Sequence, residues 1–195
     1  SDLDLVFIWD ADARGVTGGE RSIDNSVFYT RLGQKIIHIL ETRTALGQLY
    51  EVDLRLRPSG SSGLLVSSLA AFDAYQRDNA WTWEHQALVR ARPVAGDPAV
   101  ADAVEALRRD ILARPRDPAA LAGEVVGMRD RMREHLLPRD LAEGLFHLKQ
   151  SPGGIVDIEF MVQYAVLAWS HEEPELTRWS DNIRILETLG REGRF

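Results

Sequence analysis

The chain has 195 residues, 45% of them hydrophobic, enough for a genuine core in one large or two small domains and too many for wholesale disorder. A formal charge of −7 and a pI near 5.3 oppose a broad nucleic-acid surface, because binding a phosphate backbone draws on an excess of Lys and Arg. The absence of cysteine excludes disulfides and thiolate metal sites, no apolar run reaches the length of a membrane span, and the N-terminus reads as neither basic leader nor signal-peptide core. A soluble, cytoplasmic protein is expected.

Ser1-Asp2-Leu3-Asp4, running into Leu5-Val6-Phe7-Ile8, reads as an opening strand. Asp10 to Glu20, punctuated by Gly15, Gly18 and Gly19, reads as a loop. From Asp24 to Thr44, Phe28, Leu32, Ile36, Ile39 and Leu40 recur at helical spacing behind Asp24, Asn25 or Ser26 as N-cap. Gly47 breaks that pattern before a second strand, Tyr50 to Arg57. Pro58-Ser59-Gly60 with Gly63 predicts a tight turn and Leu64-Leu65-Val66 a returning strand, together a hairpin.

Ser67 to Arg77 and Trp81 to Arg92 follow as helices, and Pro93 with the Gly96-Asp97-Pro98 turn marks the candidate domain boundary, since strand-like alternation nearly vanishes beyond it. Helices are predicted over Ala99 to Leu112, over Pro118 to Leu137 on the stripe Leu121, Val125, Met128, Met132 and Leu136, and over Ile155 to about Ser170 after Pro152-Gly153-Gly154. Ser180 is the expected cap of a last helix carrying Ile183, Leu186 and Leu189. The chain opens directly on its first strand and stops within this helix, so a fragment truncated at both ends is expected. No internal repeat is evident.

Asp2, Asp4 and Asp53 are the candidate catalytic and metal-ligating residues. Residues two apart on a strand project from one face, about 6.6 Å from each other, and a third carboxylate from a neighbouring strand completes a group whose mutual repulsion makes sense if Mg²⁺ neutralises it. Taken one at a time, Asp2 is better read as a strand start, Asp4 as a solvent-facing residue and Asp53 as a cap or a partner for Arg55 or Arg57; the apolar stretches that flank each acid favour the metal reading of the group. Those arginines alternate with Leu54 and Leu56 and so share the strand face of Asp53, where a guanidinium binds carboxylate or phosphate with similar geometry. Gly153-Gly154, opening a helix just after Lys149, is a possible anion site, although ordinary turn chemistry is slightly favoured. Trp81 and Trp83 are expected to be core or interdomain anchors. The histidines at 38, 85, 135, 147 and 171 lack paired ligand spacing, which argues against zinc, and no Gly-x-Ser-x-Gly, Walker A or dinucleotide fingerprint occurs.

Ser1-Asp2-Leu3-Asp4 resembles the end of the Gly-Ser-x-Asp-x-Asp motif of the polymerase-β-like nucleotidyltransferases. The blocks Tyr50 to Gly60, Ala80 to Arg92 and Gly153 to Phe160 are similar to those of the bifunctional glutamine synthetase adenylyltransferase/adenylyl-removing family. Arg57-Pro58-Ser59-Gly60, the Trp81 to His85 run and Val156-Asp157-Ile158-Glu159 place the likeness in its C-terminal, adenylylating unit. The resemblance implies an α+β fold: a truncated polymerase-β-like nucleotidyltransferase sheet with flanking helices as the catalytic domain over residues 1–95, then an α-helical bundle domain over residues 96–195. It implies transfer of AMP from Mg-ATP to a tyrosine of glutamine synthetase, in the regulation of nitrogen assimilation. Asp2 and Asp4 would hold Mg²⁺, Asp53 would share the catalytic ion and help activate the tyrosine hydroxyl, and Ser1, Arg55, Arg57 and Lys149 would contact ATP. A PII signal protein and glutamine are the implied regulators, with neither nucleic acid nor membrane as partner. The alternatives are phosphorolytic removal of AMP and a non-catalytic regulatory or binding fragment.

Overall fold

The computed structural model describes residues 2–12, 14–48, 50–138 and 144–194. The protein is α+β and folds as two compact units, one formed by Ser1–Ala80 with Gly96–Val104, the other by Trp81–Ala95 with Glu105–Phe195. The units therefore divide after Ala80. The Trp81 to Arg92 segment, assigned by sequence to the N-terminal domain, groups with the helical unit, and residues 96–104 group with the strands.

In the first unit the order is β1 (Asp2–Asp4), β2 (Phe7–Trp9), α1 (Asn25–Glu41), β3 (Arg43–Thr44), β4 (Gly47–Gln48), β5 (Glu51–Asp53), β6 (Val66–Ser68) and α2 (Leu69–Asp78). β1 pairs in parallel with β5, and β2 pairs in parallel with β6. Parallel strands need a crossover connection, and α1, which lies against β5 and β6, supplies it. The close approach explains Gly33, the buried residue of α1: a Cβ there would sit 3.0 Å from Val66 Cγ1. Trp9, Val66 and Phe72 form the buried apolar centre, and the Trp9 ring stacks on Tyr29 at 4.9 Å. Ser68 caps α2 by accepting the Ala71 amide.

Two sequence expectations fail here. The opening strand is broken at Leu5 and Val6, because its two halves pair with partners that the chain delivers 13 residues apart, from Asp53 to Val66. The hairpin is absent, since the second strand stops at Asp53 and Val66–Ser68 pairs with β2 instead. A loop built on Arg57 intervenes. The tight hairpin of this unit joins β3 to β4, with Thr44 opposite Gly47 at φ +109°.

The second unit contains α3 (Thr82–Arg90), the C-terminal half of α4 (Pro98–Leu112), α5 (Pro118–Leu136), α6 (Ile155–Trp169), a 3₁₀ turn at Pro174–Thr177 and α7 (Asn182–Arg191). α6 is the central element, packed against α3, α5 and α7 and burying Val156, Val162, Ala165, Val166, Leu167 and Ala168. Its near-continuous apolar sequence reflects neighbours on several sides. Asp117 caps α5 and Asp181, rather than Ser180, caps α7 by accepting the Arg184 amide. Trp81 is 70% exposed and Trp83 half-buried, so Trp81 is not the buried anchor expected from its size. It precedes the first turn of α3, where its amide donates to the buried Glu84 carboxylate at 2.9 Å.

Two buried arginines, Arg108 and Arg129, and the half-buried Arg116 cross-link this unit. Arg108 donates to the carbonyls of Leu88 (2.8 Å), Val89 (2.8 Å) and Thr177 (2.7 Å), which closes the last turn of α3 and the 3₁₀ turn. Arg116 donates to Ile111 (2.9 Å) and Leu112 (3.0 Å) at the end of α4 and to Leu167 (3.3 Å) near the end of α6. A guanidinium at helix C-termini satisfies orphan carbonyls and opposes the negative end of the dipole, although burial pulls the Arg116 pKa down to about 10. Arg129 holds the Gln150 carbonyl (2.9 Å) and the Asp157 carboxylate.

Burial works against the charge of Asp157, but the Gly153 amide and Arg129 guanidinium, with Arg133 beyond, outweigh it and keep the carboxyl below its ordinary value of 3.8. A depressed folded pKa contributes stability that is complete above the unfolded value and is lost as pH falls through the folded one. Asp157→Asn should cost roughly 2–3 kcal/mol at neutral pH, because it leaves Arg129 buried without its counter-charge. Denaturant unfolding across pH 2–7 should find the variant's acid-limb dependence flatter than that of the parent.

Candidate functional site

The site is built by one backbone register. Asp2 lies opposite Glu51, Leu3 opposite Val52 and Asp4 opposite Asp53, and the Leu5 amide continues the ladder by donating to the Asp53 carbonyl at 2.9 Å. Paired residues of neighbouring strands project to the same side, and side chains alternate along each strand. Asp2, Asp4, Glu51 and Asp53 therefore share one face, while Leu3 and Val52 are half-buried on the other. Asp2, Glu51 and Asp53 line an open depression of about 340 Å³ with Val52, Leu54 and Arg55.

Sequence reasoning did not assign Glu51. Its signal was available, because Glu51 stands two residues before Asp53 as Asp2 stands two before Asp4. What the sequence lacks is the strand pairing, and the pairing turns two separate acid pairs into a square of carboxylates.

Arg55 supplies the opposite charge. Its Nε donates to Asp53 Oδ1 (3.0 Å) and Oδ2 (2.8 Å), its Nη2 also reaches Oδ2, and its amide donates to Oδ1 at 2.8 Å. The Arg55 side chain, then its amide, hold the Asp53 carboxyl below its ordinary value against a smaller opposing effect of burial. The Asp53 hydrogen bond and charge, with lesser pulls from Asp4 and Asp2, raise the Arg55 pKa in turn. Asp53 is 14% exposed and Arg55 77% exposed, so the anion is largely enclosed and its cation reaches it from the solvent-facing rim.

Neither arginine lies on a strand, as the sequence had suggested, because β5 ends at Asp53. Arg57 turns inward, donating to the carbonyls of Leu54 (2.8 Å), Ser61 (3.2 Å) and Gly63 (3.4 Å). The loop that it closes carries Ser59 at φ 61° and Gly60 at φ 55°, left-handed conformations that end the extended run. Ser1 lies outside the described residues. Lys149 is exposed in the second unit, and the anion site suggested after it is filled from within. Ile155 and Val156 donate to the carbonyls of Leu148 (2.9 Å) and Lys149 (3.2 Å), and Gly153 donates to Asp157 Oδ2 (2.6 Å).

The donor set on the acidic face consists of hard carboxylate oxygens, which suit Mg²⁺ in kind. Among the described residues no three acidic or histidine side chains stand close enough together to enclose one ion, and Asp53 is turned to Arg55. The face thus suits a divalent cation in donor chemistry, with the Arg55 guanidinium holding both oxygens of Asp53.

A sequence profile of the glutamate-ammonia ligase adenylyltransferase family matches residues 1–107. The chain belongs to this family. It is 59% identical over its whole length to a bifunctional glutamine synthetase adenylyltransferase/adenylyl-removing enzyme of Hahella chejuensis. Over 99% of its length it is 60% identical to the enzyme so named in Pseudomonas aeruginosa and 58% identical to that of Vibrio parahaemolyticus. The chain spans about a fifth of the length of these relatives, 20–21%. No described helix is long and apolar enough to cross a membrane.

Gly63 tests the Arg57 loop that delivers Arg55. A Cβ at this position would lie 1.8 Å from the Pro58 carbonyl oxygen, so the turn would have to open. Gly63→Ala should destabilise the first unit by roughly 2–4 kcal/mol. Amide hydrogen exchange is the check, with protection lost around residues 54–66 and retained in α6.

Proposed function

We propose that the acidic face transfers the adenylyl group of Mg-ATP to a tyrosine hydroxyl of glutamine synthetase. The tyrosine oxygen forms a bond to the α-phosphorus as the bond to pyrophosphate breaks, with attacking and leaving oxygens in line. Asp2, Asp4 and Asp53 would hold the divalent ions, and Asp53 draws the proton of the attacking hydroxyl. Mg²⁺, when bound, neutralises phosphate charge. Arg55 meets the charge of the departing pyrophosphate, with Ser1 and Arg57 as further candidate contacts to ATP. The α+β first unit is, on this reading, part of a polymerase-β-like nucleotidyltransferase domain, and the helical unit is the neighbouring bundle.

One observation carries the proposal: the parallel register that sets Asp4 beside Asp53 and Asp2 two residues before it on the same face. The name borne by these relatives supports the substrate, and it also includes adenylyl removal. Phosphorolysis, in which inorganic phosphate attacks tyrosyl-AMP to release ADP, is therefore the second reading for the same carboxylates. On the leading reading a PII signal protein and glutamine act as regulators, in the cytoplasm.

In the chain extended to its relatives' length, Asp2→Asn, Asp4→Asn and Asp53→Asn should each lower AMP incorporation into glutamine synthetase by about a thousandfold or more. The assay follows α-³²P label from ATP into the target protein. Near-normal incorporation in any of the three overturns that residue's role. ADP release from adenylylated target and phosphate, without forward transfer, would favour the removal reaction.

A further inference from the structure

Four carboxylates on one face of two paired strands repel one another, and the described structure answers that repulsion with a side chain. Arg55 is tethered to Asp53 at both ends of its own residue, by its amide and by its guanidinium, so the pairing costs little chain entropy. Its side chain is 77% exposed and can leave without unpacking a core. The guanidinium satisfies both oxygens of the acid that an incoming ion would have to share, and it does so within the field of Asp4 and Asp2.

We propose that Arg55 is a built-in counter-ion that competes with divalent cations for Asp53, and that cation entry releases its guanidinium to receive the phosphates of the nucleotide. This rests on the reading of Asp2, Asp4 and Asp53 as a cation site. Arg55 is thereby a positioning residue with two stations, carboxylate before loading and phosphate after. The exchange makes loading ordered: a bare cation must displace Arg55 unaided, whereas a cation arriving with a nucleotide brings the anion that draws Arg55 away. Free Mg²⁺ alone is disfavoured at the site, and the Mg-nucleotide complex is favoured.

The test measures binding, without turnover, in this chain. Mn²⁺ is titrated in the absence of nucleotide and the free ion counted by electron paramagnetic resonance, for the parent, Arg55→Gln, Arg55→Lys and Asp4→Asn. Arg55→Gln should bind Mn²⁺ roughly three- to tenfold more tightly, while its affinity for Mg-ATP, read by calorimetry, should fall by a similar factor. Arg55→Lys keeps the charge and loses the planar fork, so its Mn²⁺ affinity should lie between parent and Arg55→Gln. Equal or weaker Mn²⁺ binding in Arg55→Gln, with Asp4→Asn still abolishing it, overturns the competition and leaves the cation site standing. An Arg55→Lys variant that matches the parent reduces the effect to net charge and also overturns the exchange. If neither the parent nor Arg55→Gln binds Mn²⁺, both this inference and the cation site fall together.

Discussion

The in-register parallel pairing of Asp2–Asp4 with Glu51–Asp53 is the constraint on which the first unit turns. It is an unfavourable arrangement by charge, since carboxylates gathered on one face repel one another, the more so where water is thinned. The strands accept it because their other face carries Leu3 and Val52, and because α1 returns the chain at the distance a parallel partner requires. A hydrophobic gain on one side of the ribbon thus sustains an electrostatic load on the other. Arg55 relieves the load at Asp53, the most enclosed of the three aspartates.

The helical unit uses charge in the opposite way. Arg108 and Arg129 are cations drawn into a mostly apolar interior and Arg116 is half-buried at its edge, where each would be costly without partners. For Arg108 and Arg116 the partners are mainly main-chain carbonyls in the last turns of helices, where intrahelical donors run out. Arg108 and Arg116 therefore offset their own desolvation while satisfying helix ends, whereas Arg129 is held by the Asp157 carboxylate and the Gln150 carbonyl. The same logic disposes of the Gly153-Gly154 turn, whose first-turn amides are consumed by Leu148, Lys149 and Asp157.

Much of the helical architecture was legible in the sequence, because apolar spacing and caps are local: α1, α2, α3, α4, α5 and α6 fall within a few residues of their expected spans. Strand partnership was not. Alternation tells which residues share a face and says nothing of which strand lies beside them, so Tyr50 to Val66 read as a hairpin although Arg57, folding back on Leu54, Ser61 and Gly63, had already turned the chain away. Asp2, Asp4 and Asp53 were legible as an acid group, but Glu51 needed the pairing to join them. Trp81 misled for a different reason: aromatic bulk predicts burial on average, and this ring stands at a helix entry where the backbone amide, not the indole, is engaged.

The alternation of acid and apolar residues along β1 and β5 also polices its own alignment. Sliding β5 by one residue against β1 would carry Glu51 and Asp53 round to the side of Leu3, stripping two carboxylates of solvent, and would send Val52 out beside Asp2 and Asp4. Misalignment is thus penalised twice, by stranded charge and by wasted apolar surface, and three residues per strand suffice to hold a ribbon too short to be held by its ladder alone. The residues read as chemistry are at the same time the reason the two strands meet in only one way.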